Sequence, residues 1–174
     1  MNKTGLKNRE IKFRQNEYGK PMLGVRDDVH FNLSHSGIWV VAAVDDQPIG
    51  VDVEQVAPID LSISRNFFSD DEHNDLMGQF DRLSYFFTLW TLKESYIKNL
   101  GKGLSHPLNA FSIKFLTQDK IALMVEGQTL DDVSFAQYNL HSDYKMALCA
   151  SHGNLPEQVT MHSVERLIGN FLDY

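Results

Sequence analysis

Gly50-Val51-Asp52-Val53-Glu54 and Trp90-Thr91-Leu92-Lys93-Glu94-Ser95-Tyr96-Ile97-Lys98 are the stretches from which the rest of the chain is read. The first reads as a strand. Residues two apart in a strand share a face, so Asp52 and Glu54 point one way while Val51 and Val53 point the other. The second reads as a helix. Glu94 falls four residues after Trp90 and three before Ile97, which predicts that it lies on the stripe facing the core. Two carboxylates on a strand and a third on an apolar helical seam suit a hard divalent cation such as Mg²⁺, which prefers oxygen ligands. A cation would also offset the cost of holding acidic groups away from water. On spacing alone, an Asp-x-Glu alternation equally describes a solvated strand face. Likewise Glu94 with Lys98 describes an exposed i,i+4 ion pair worth about 0.3–0.5 kcal/mol.

Upstream, residues 39–44 form a continuous β-favouring run. Asp45-Asp46-Gln47-Pro48 supplies a turn into residues 49–54, which predicts a β-hairpin with a four-residue connection. Residues 1–30 are polar and turn-rich, with one short strand expected around 11–13. Downstream, Ser69-Asp70-Asp71-Glu72 matches a capping box and predicts a short helix to Met77, closed by Gly78. Leu83, Phe86, Phe87, Trp90 and Ile97 recur near a 3.6 period. They predict a long helix over 81–100, with Gly101 as its C-cap. Beyond Pro107 the period becomes two, through Phe111/Ile113/Phe115 and Ile121/Leu123/Val125. Less regular strands are expected at 133–140 and 145–150, joined by His141-Ser142-Asp143, and an amphipathic helix over 163–172 follows. Antiparallel hairpins with helices packed on them define an α+β class.

The chain has 174 residues, 43% hydrophobic and 22% charged, which is typical of a globular protein able to bury a core. A net charge of −7 argues against a general nucleic-acid or membrane binder. The longest apolar run, 38–44, is far too short to span a bilayer, and the first residues carry no apolar leader segment, so the cytoplasm is the expected location. Cys149 is the only cysteine and cannot form an intrachain disulfide; its apolar neighbours predict a buried strand position.

With Phe31-Asn32-Leu33-Ser34-His35-Ser36-Gly37 added, the chain carries three motifs in order: Ser-His-Ser, Gly-x-Asp-x-Glu and Trp-x-x-Lys-Glu-Ser-x-x-Lys. This pattern resembles the signature of the 4′-phosphopantetheinyl transferases of the long, surfactin-synthetase-activating type. The likeness continues through Tyr18-Gly19-Lys20-Pro21 and Gly101-Lys102-Gly103-Leu104-Ser105, and covers nearly the whole chain from Phe13. Family members of this type begin further upstream. The resemblance therefore implies two pseudo-symmetric lobes with the first incomplete: residues 1–49 as an N-terminal lobe and 50–174 as a C-terminal lobe, with ligand in the cleft between them.

The resemblance implies transfer of the phosphopantetheine arm of coenzyme A to a serine of an acyl, peptidyl or aryl carrier protein, with release of 3′,5′-ADP. It implies Asp52, Glu54 and Glu94 as Mg²⁺ ligands, and Glu94 and Lys98 as catalytic groups. Ser34, His35 and Lys98 would contact coenzyme A phosphates, and Lys20 its adenosine part. The enzyme would act as a monomer, and an acidic carrier would be met by a local basic patch drawn from Lys12, Arg14, Lys93, Lys98 and Lys102. Residues 59–68 are more apolar than a loop requires, with carrier docking and core packing as equal explanations. A Ser34-His35-Asp52 hydrolase triad is disfavoured, because adjacent strand residues face opposite ways. Two rivals stay open: a truncated relative that binds coenzyme A or a carrier without turnover, and a phosphohydrolase in which water replaces the serine.

Overall fold

The period-two run around Asp52 forms the strand on which the other elements are assembled. The computed structural model describes residues 5–117 and 120–172. In chain order the strands and helices are β1 (Phe13–Gln15), β2 (Pro21–Leu23), β3 (His30–Ser36), β4 (Trp39–Asp45), β5 (Ile49–Gln55), α1 (Ser64–Phe67), α2 (Asp70–Gly78), α3 (Arg82–Leu100), β6 (Ser112–Phe115), β7 (Ile121–Val125), β8 (Gln128–Leu130), β9 (Ser134–Gln137), β10 (Tyr144–Ala150) and α4 (Val164–Leu172). The sheets are β1-β2, β3-β4, β5-β10-β9 and β6-β7-β8, and all their ladders are antiparallel. The architecture is α+β, as the sequence pattern predicts.

The expected hairpin between 39–44 and 49–54 does not form. β4 pairs instead with β3, through a two-residue turn in which Gly37 takes φ +55°. A glycine-first turn of this kind matches the twist of a tight hairpin better than a four-residue connection does. β5 pairs with β10, with Val51 opposite Leu148 and Asp52 opposite Ala147. On its other edge β5 pairs with no strand among the described residues. Three side-chain oxygens of β3 lie there, taking the N–H groups of Val51, Val53 and Gln55.

The two faces of β5 differ as its alternation requires. Ile49, Val51 and Val53 enter a core with Val41, Tyr144, Met146 and Leu148. Gly50, Asp52 and Glu54 are on the opposite face, toward α3. At Gly50 a Cβ would lie 2.0 Å from the Ser95 carbonyl oxygen and 2.3 Å from the Asn99 nitrogen. Only a hydrogen there allows strand and helix backbones to touch, and this contact sets how close Asp52 comes to Lys98.

α3 starts where Asp81 Oδ1 accepts the Ser84 N–H at 3.0 Å and stops where Gly101 turns left-handed at φ +71°. Its apolar side packs Phe86, Leu89, Leu92 and Ile97 with Leu76, Phe111, Leu123 and Cys149. α2 begins with the expected capping box, Ser69 and Glu72 exchanging bonds. Leu61, Ile63, Phe67 and Phe68 of the 59–68 segment pack on this core, which accounts for its apolar character; Ile59 remains exposed.

Candidate active site

The geometry around Asp52 follows from two close approaches: β5 to α3 at Gly50, and β3 to the free edge of β5. Asp52 is 2% exposed. Its Oδ1 accepts from Lys98 Nζ at 2.6 Å and from Ser34 Oγ at 2.8 Å. Its Oδ2 is buried without a hydrogen-bond partner among the described residues. Burial pushes the Asp52 carboxyl above the usual carboxylate range, against the opposing pull of Lys98 and Ser34. Glu54 accepts from Ser36 Oγ at 3.0 Å, and burial followed by the repulsion of Asp52 raises it as well. Glu94 is raised by burial and then by Asp52 and Glu54, with Lys98 opposing.

Glu54 feels Asp52, and Glu94 feels both, which sets the three carboxyls in one neighbourhood. Among the described residues, no group of three or more His, Cys, Asp or Glu side chains stands where it could hold a metal ion, and the Lys98 ammonium lies against Asp52. The donors gathered here are carboxylate oxygens, the ligand type that a hard cation such as Mg²⁺ takes, and one oxygen of Asp52 is buried with no donor among the described residues.

The helical placement of Glu94 departs from the sequence expectation. Thr91, Leu92, Lys93, Ser95, Tyr96, Ile97 and Asn99 are all buried, while Trp90, Glu94 and Lys98 are only partly so. The 90/94/98 line is thus the more open side of a helix enclosed almost all round. Hydrophobic neighbours in sequence predict a single core stripe, but sheet, α2 and β6 surround this helix on its remaining sides.

Ser34 and His35 separate as adjacent strand residues must. His35 is exposed. Ser34 Oγ donates to Asp52 and accepts from the Val53 N–H at 3.4 Å and from Lys98 Nζ at 3.0 Å. That hydroxyl is bonded to three groups of the chain itself, and no Ser-His-Asp triad forms. Lys20 Nζ donates to the carbonyls of Ile49 at 3.1 Å, Lys98 at 2.5 Å and Asn99 at 3.2 Å. Two of its bonds thereby go to the end of α3, the position at which a cation complements the helix dipole, and the third to the start of β5.

Lys93 does not belong to a surface patch. It is fully buried, 2.6 Å from Glu72 Oε2 and 2.7 Å from the Phe111 carbonyl oxygen, with its ammonium 4.4 Å from the Phe111 ring centroid. Glu72 also takes the N–H groups of Ser69 and Ile113. Sequence reasoning missed this pair, because nothing local links residues 72 and 93. It also missed the Asn32/Ser34/Ser36 alternation, whose period of two was visible. Cys149 is fully buried, and burial pushes its thiol far up.

Residues 48–149 match a family model described as 4′-phosphopantetheinyl transferase superfamily. The chain is 42% identical over 161 residues to the 4′-phosphopantetheinyl transferase Sfp of Bacillus subtilis, covering 91% of this chain and 71% of that protein. It is 38% identical over 172 residues to the 4′-phosphopantetheinyl transferase gsp of Aneurinibacillus migulanus, covering 97% of this chain and 70% of that protein. Among solved structures, the holo-[acyl-carrier-protein] synthase of Neisseria meningitidis superposes with a TM-score of 0.51 at 13% identity. That likeness covers 61% of this chain and 98% of the other, and extends to the fold alone. The chain belongs to the 4′-phosphopantetheinyl transferase superfamily.

Proposed function

We propose that this 4′-phosphopantetheinyl transferase moves the phosphopantetheine group of coenzyme A to a serine hydroxyl of an acyl, peptidyl or aryl carrier protein, releasing 3′,5′-ADP. The observation that carries the site assignment is the facing of Asp52 and Glu54 on β5 with the Glu94–Lys98 line of α3, where burial raises all three carboxyls and Asp52 adds to the rise of Glu54 and Glu94. Asp52, Glu54 and Glu94 would hold Mg²⁺. When bound, the ion supplies positive charge at the pyrophosphate. Glu94, made more basic by burial and by its acidic neighbours, accepts the proton of the attacking serine. The serine oxygen bonds to the phosphorus bearing the pantetheine arm. The bond from that phosphorus to the bridging oxygen breaks, and its electron pair leaves with 3′,5′-ADP. Lys98, one turn beyond Glu94 and 26% exposed at its side chain, meets the charge developing on that oxygen. His35, exposed on β3, contacts a coenzyme A phosphate.

Action as a monomer in the cytoplasm belongs to the same proposal. Among the described residues no helix is long and apolar enough to cross a membrane. The test is a mass-shift assay with apo carrier protein, coenzyme A and Mg²⁺. The carrier is expected to gain the arm with the unsubstituted chain, and to lose that gain with Asp52→Ala, Glu54→Ala or Glu94→Ala. Near-normal transfer by all three variants would remove the metal assignment. No transfer by the unsubstituted chain would remove the activity.

A further inference from the structure

One pattern along the free edge of β5 is used by none of the roles above. Asn32 Oδ1 accepts the Val51 N–H at 2.8 Å, Ser34 Oγ the Val53 N–H at 3.4 Å, and Ser36 Oγ the Gln55 N–H at 3.0 Å. Both strands advance by two residues at each step, so β3 runs alongside β5 in the same direction. It supplies side-chain rungs where a neighbouring strand would supply carbonyls. Burial forces this arrangement, because β5 N–H groups left unpaired in the interior would each carry a desolvation cost.

The two serine rungs share a second contact. Ser34 Oγ donates to Asp52 Oδ1 at 2.8 Å, and Ser36 Oγ donates to Glu54 Oε2 at 3.0 Å. In each case the hydroxyl receives the N–H of residue j+1 and gives its proton to the carboxylate of residue j. A hydroxyl has one proton. Once its lone pairs face a backbone donor, that proton is directed at the carboxylate, and the carboxylate rotamer is fixed relative to the strand. Asn32, the rung beside Gly50, has no carboxylate to hold and makes only the backbone bond.

We infer that Ser36 is a positioning residue for Glu54, presetting that carboxylate for a divalent cation as Ser34 does for Asp52. The inference rests on the metal role proposed for Asp52, Glu54 and Glu94. Groups that hydrogen-bond a ligating carboxylate orient it, and their removal typically costs about 10–100-fold in metal affinity. Ser36 suits such a role better than a structural one. Its loss removes one rung at the exposed end of β5, where the Gln55 N–H can turn to water, whereas Glu54 loses its only side-chain donor among the bonds of the described residues.

The experiment is a Mn²⁺ titration of the full chain with coenzyme A present and carrier absent, with free Mn²⁺ read by electron paramagnetic resonance. Melting temperatures are recorded in parallel. Ser36→Ala is expected to weaken Mn²⁺ binding by about tenfold, with melting shifted little. Ser36→Thr, which keeps the hydroxyl, is expected to bind within about twofold of the unsubstituted chain. Asp52→Ala is the reference for loss of a ligand. Unchanged Mn²⁺ affinity in Ser36→Ala, beside a clear loss in Asp52→Ala, overturns the positioning role and leaves the transferase site intact. Equal affinity in Asp52→Ala and the unsubstituted chain overturns the metal assignment itself, and the inference with it. Weakening in Ser36→Ala that Ser36→Thr fails to restore also overturns it, because the hydroxyl is then not the agent.

Discussion

Lys98 Nζ stands 2.6 Å from Asp52 Oδ1, while Asp52 Oδ2 is buried with no partner. Lysine and aspartate lie 46 residues apart, one on α3 and one on β5, and the bond joins the two halves of the site. One ammonium does not satisfy both oxygens of a buried carboxylate, so the pair holds Asp52 by one oxygen and leaves the other without a donor among the described residues. Lys98→Met is expected to lower the rate of arm transfer by about 10²–10³-fold, as loss of a single preorganised electrostatic contact does. Single-turnover transfer to apo carrier checks this. A rate within about twofold of the unsubstituted chain would leave Lys98 a structural counter-ion only.

The Lys93–Glu72 pair behaves differently. Both side chains are buried, at 0% and 3% exposure, so removing one partner strands the other's charge. Lys93→Met is expected to destabilise the fold by about 3–5 kcal/mol. Urea denaturation followed by circular dichroism reads the loss. A change below about 1 kcal/mol would mean that Glu72 is carried adequately by its backbone donors.

Gly50→Ala tests the contact between β5 and α3. The added methyl would meet backbone atoms of Ser95 and Asn99, which have no rotamer by which to move aside. A loss of about 3 kcal/mol is expected, toward the upper end for overpacking, together with a fall in transfer as Asp52 is pushed away from Glu94. Thermal melting and the mass-shift assay measure the two effects separately.

Lys20 separates a helix cap from a ligand contact. Lys20→Met removes two bonds to the end of α3 and one to the start of β5, and is expected to cost about 1–2 kcal/mol, with the KM for coenzyme A within about twofold. A KM raised tenfold at unchanged stability would return Lys20 to the ligand.

The raised carboxyls of Asp52, Glu54 and Glu94 give stability a definite slope with pH. Below the unfolded carboxylate pKa of about 4, all three are protonated in both states and contribute no difference. As pH rises from there, the unfolded chain releases their protons first, so stability falls, and the loss is complete above the folded values. With a chelator present, melting as pH rises from about 4 is expected to decline more steeply in the unsubstituted chain than in Asp52→Asn/Glu54→Gln/Glu94→Gln. Added Mg²⁺ is expected to flatten that difference, because it binds the ionised folded state. Parallel slopes in the two proteins would show that the three groups are not linked to folding.

Sequence alone decided what depends on near neighbours. Asp81 and Gly101 bound α3, Ser69 and Glu72 open α2, and alternating residues make β5, because caps and strand faces are set within a few residues along the chain. The motif residues Asp52, Glu54, Glu94 and Lys98 were legible too, as they carry the family's pattern. Tertiary structure decided which strand β5 joins. A period of two specifies a face but names no partner, and the Gly37 turn gave β4 to β3 while β10 took β5. It also buried Lys93 against Glu72, turned Lys20 into a helix cap, and opened the 90/94/98 line of an otherwise enclosed helix. Each of these outcomes depends on desolvation and on contacts between distant parts of the chain, which exist only once the elements have packed.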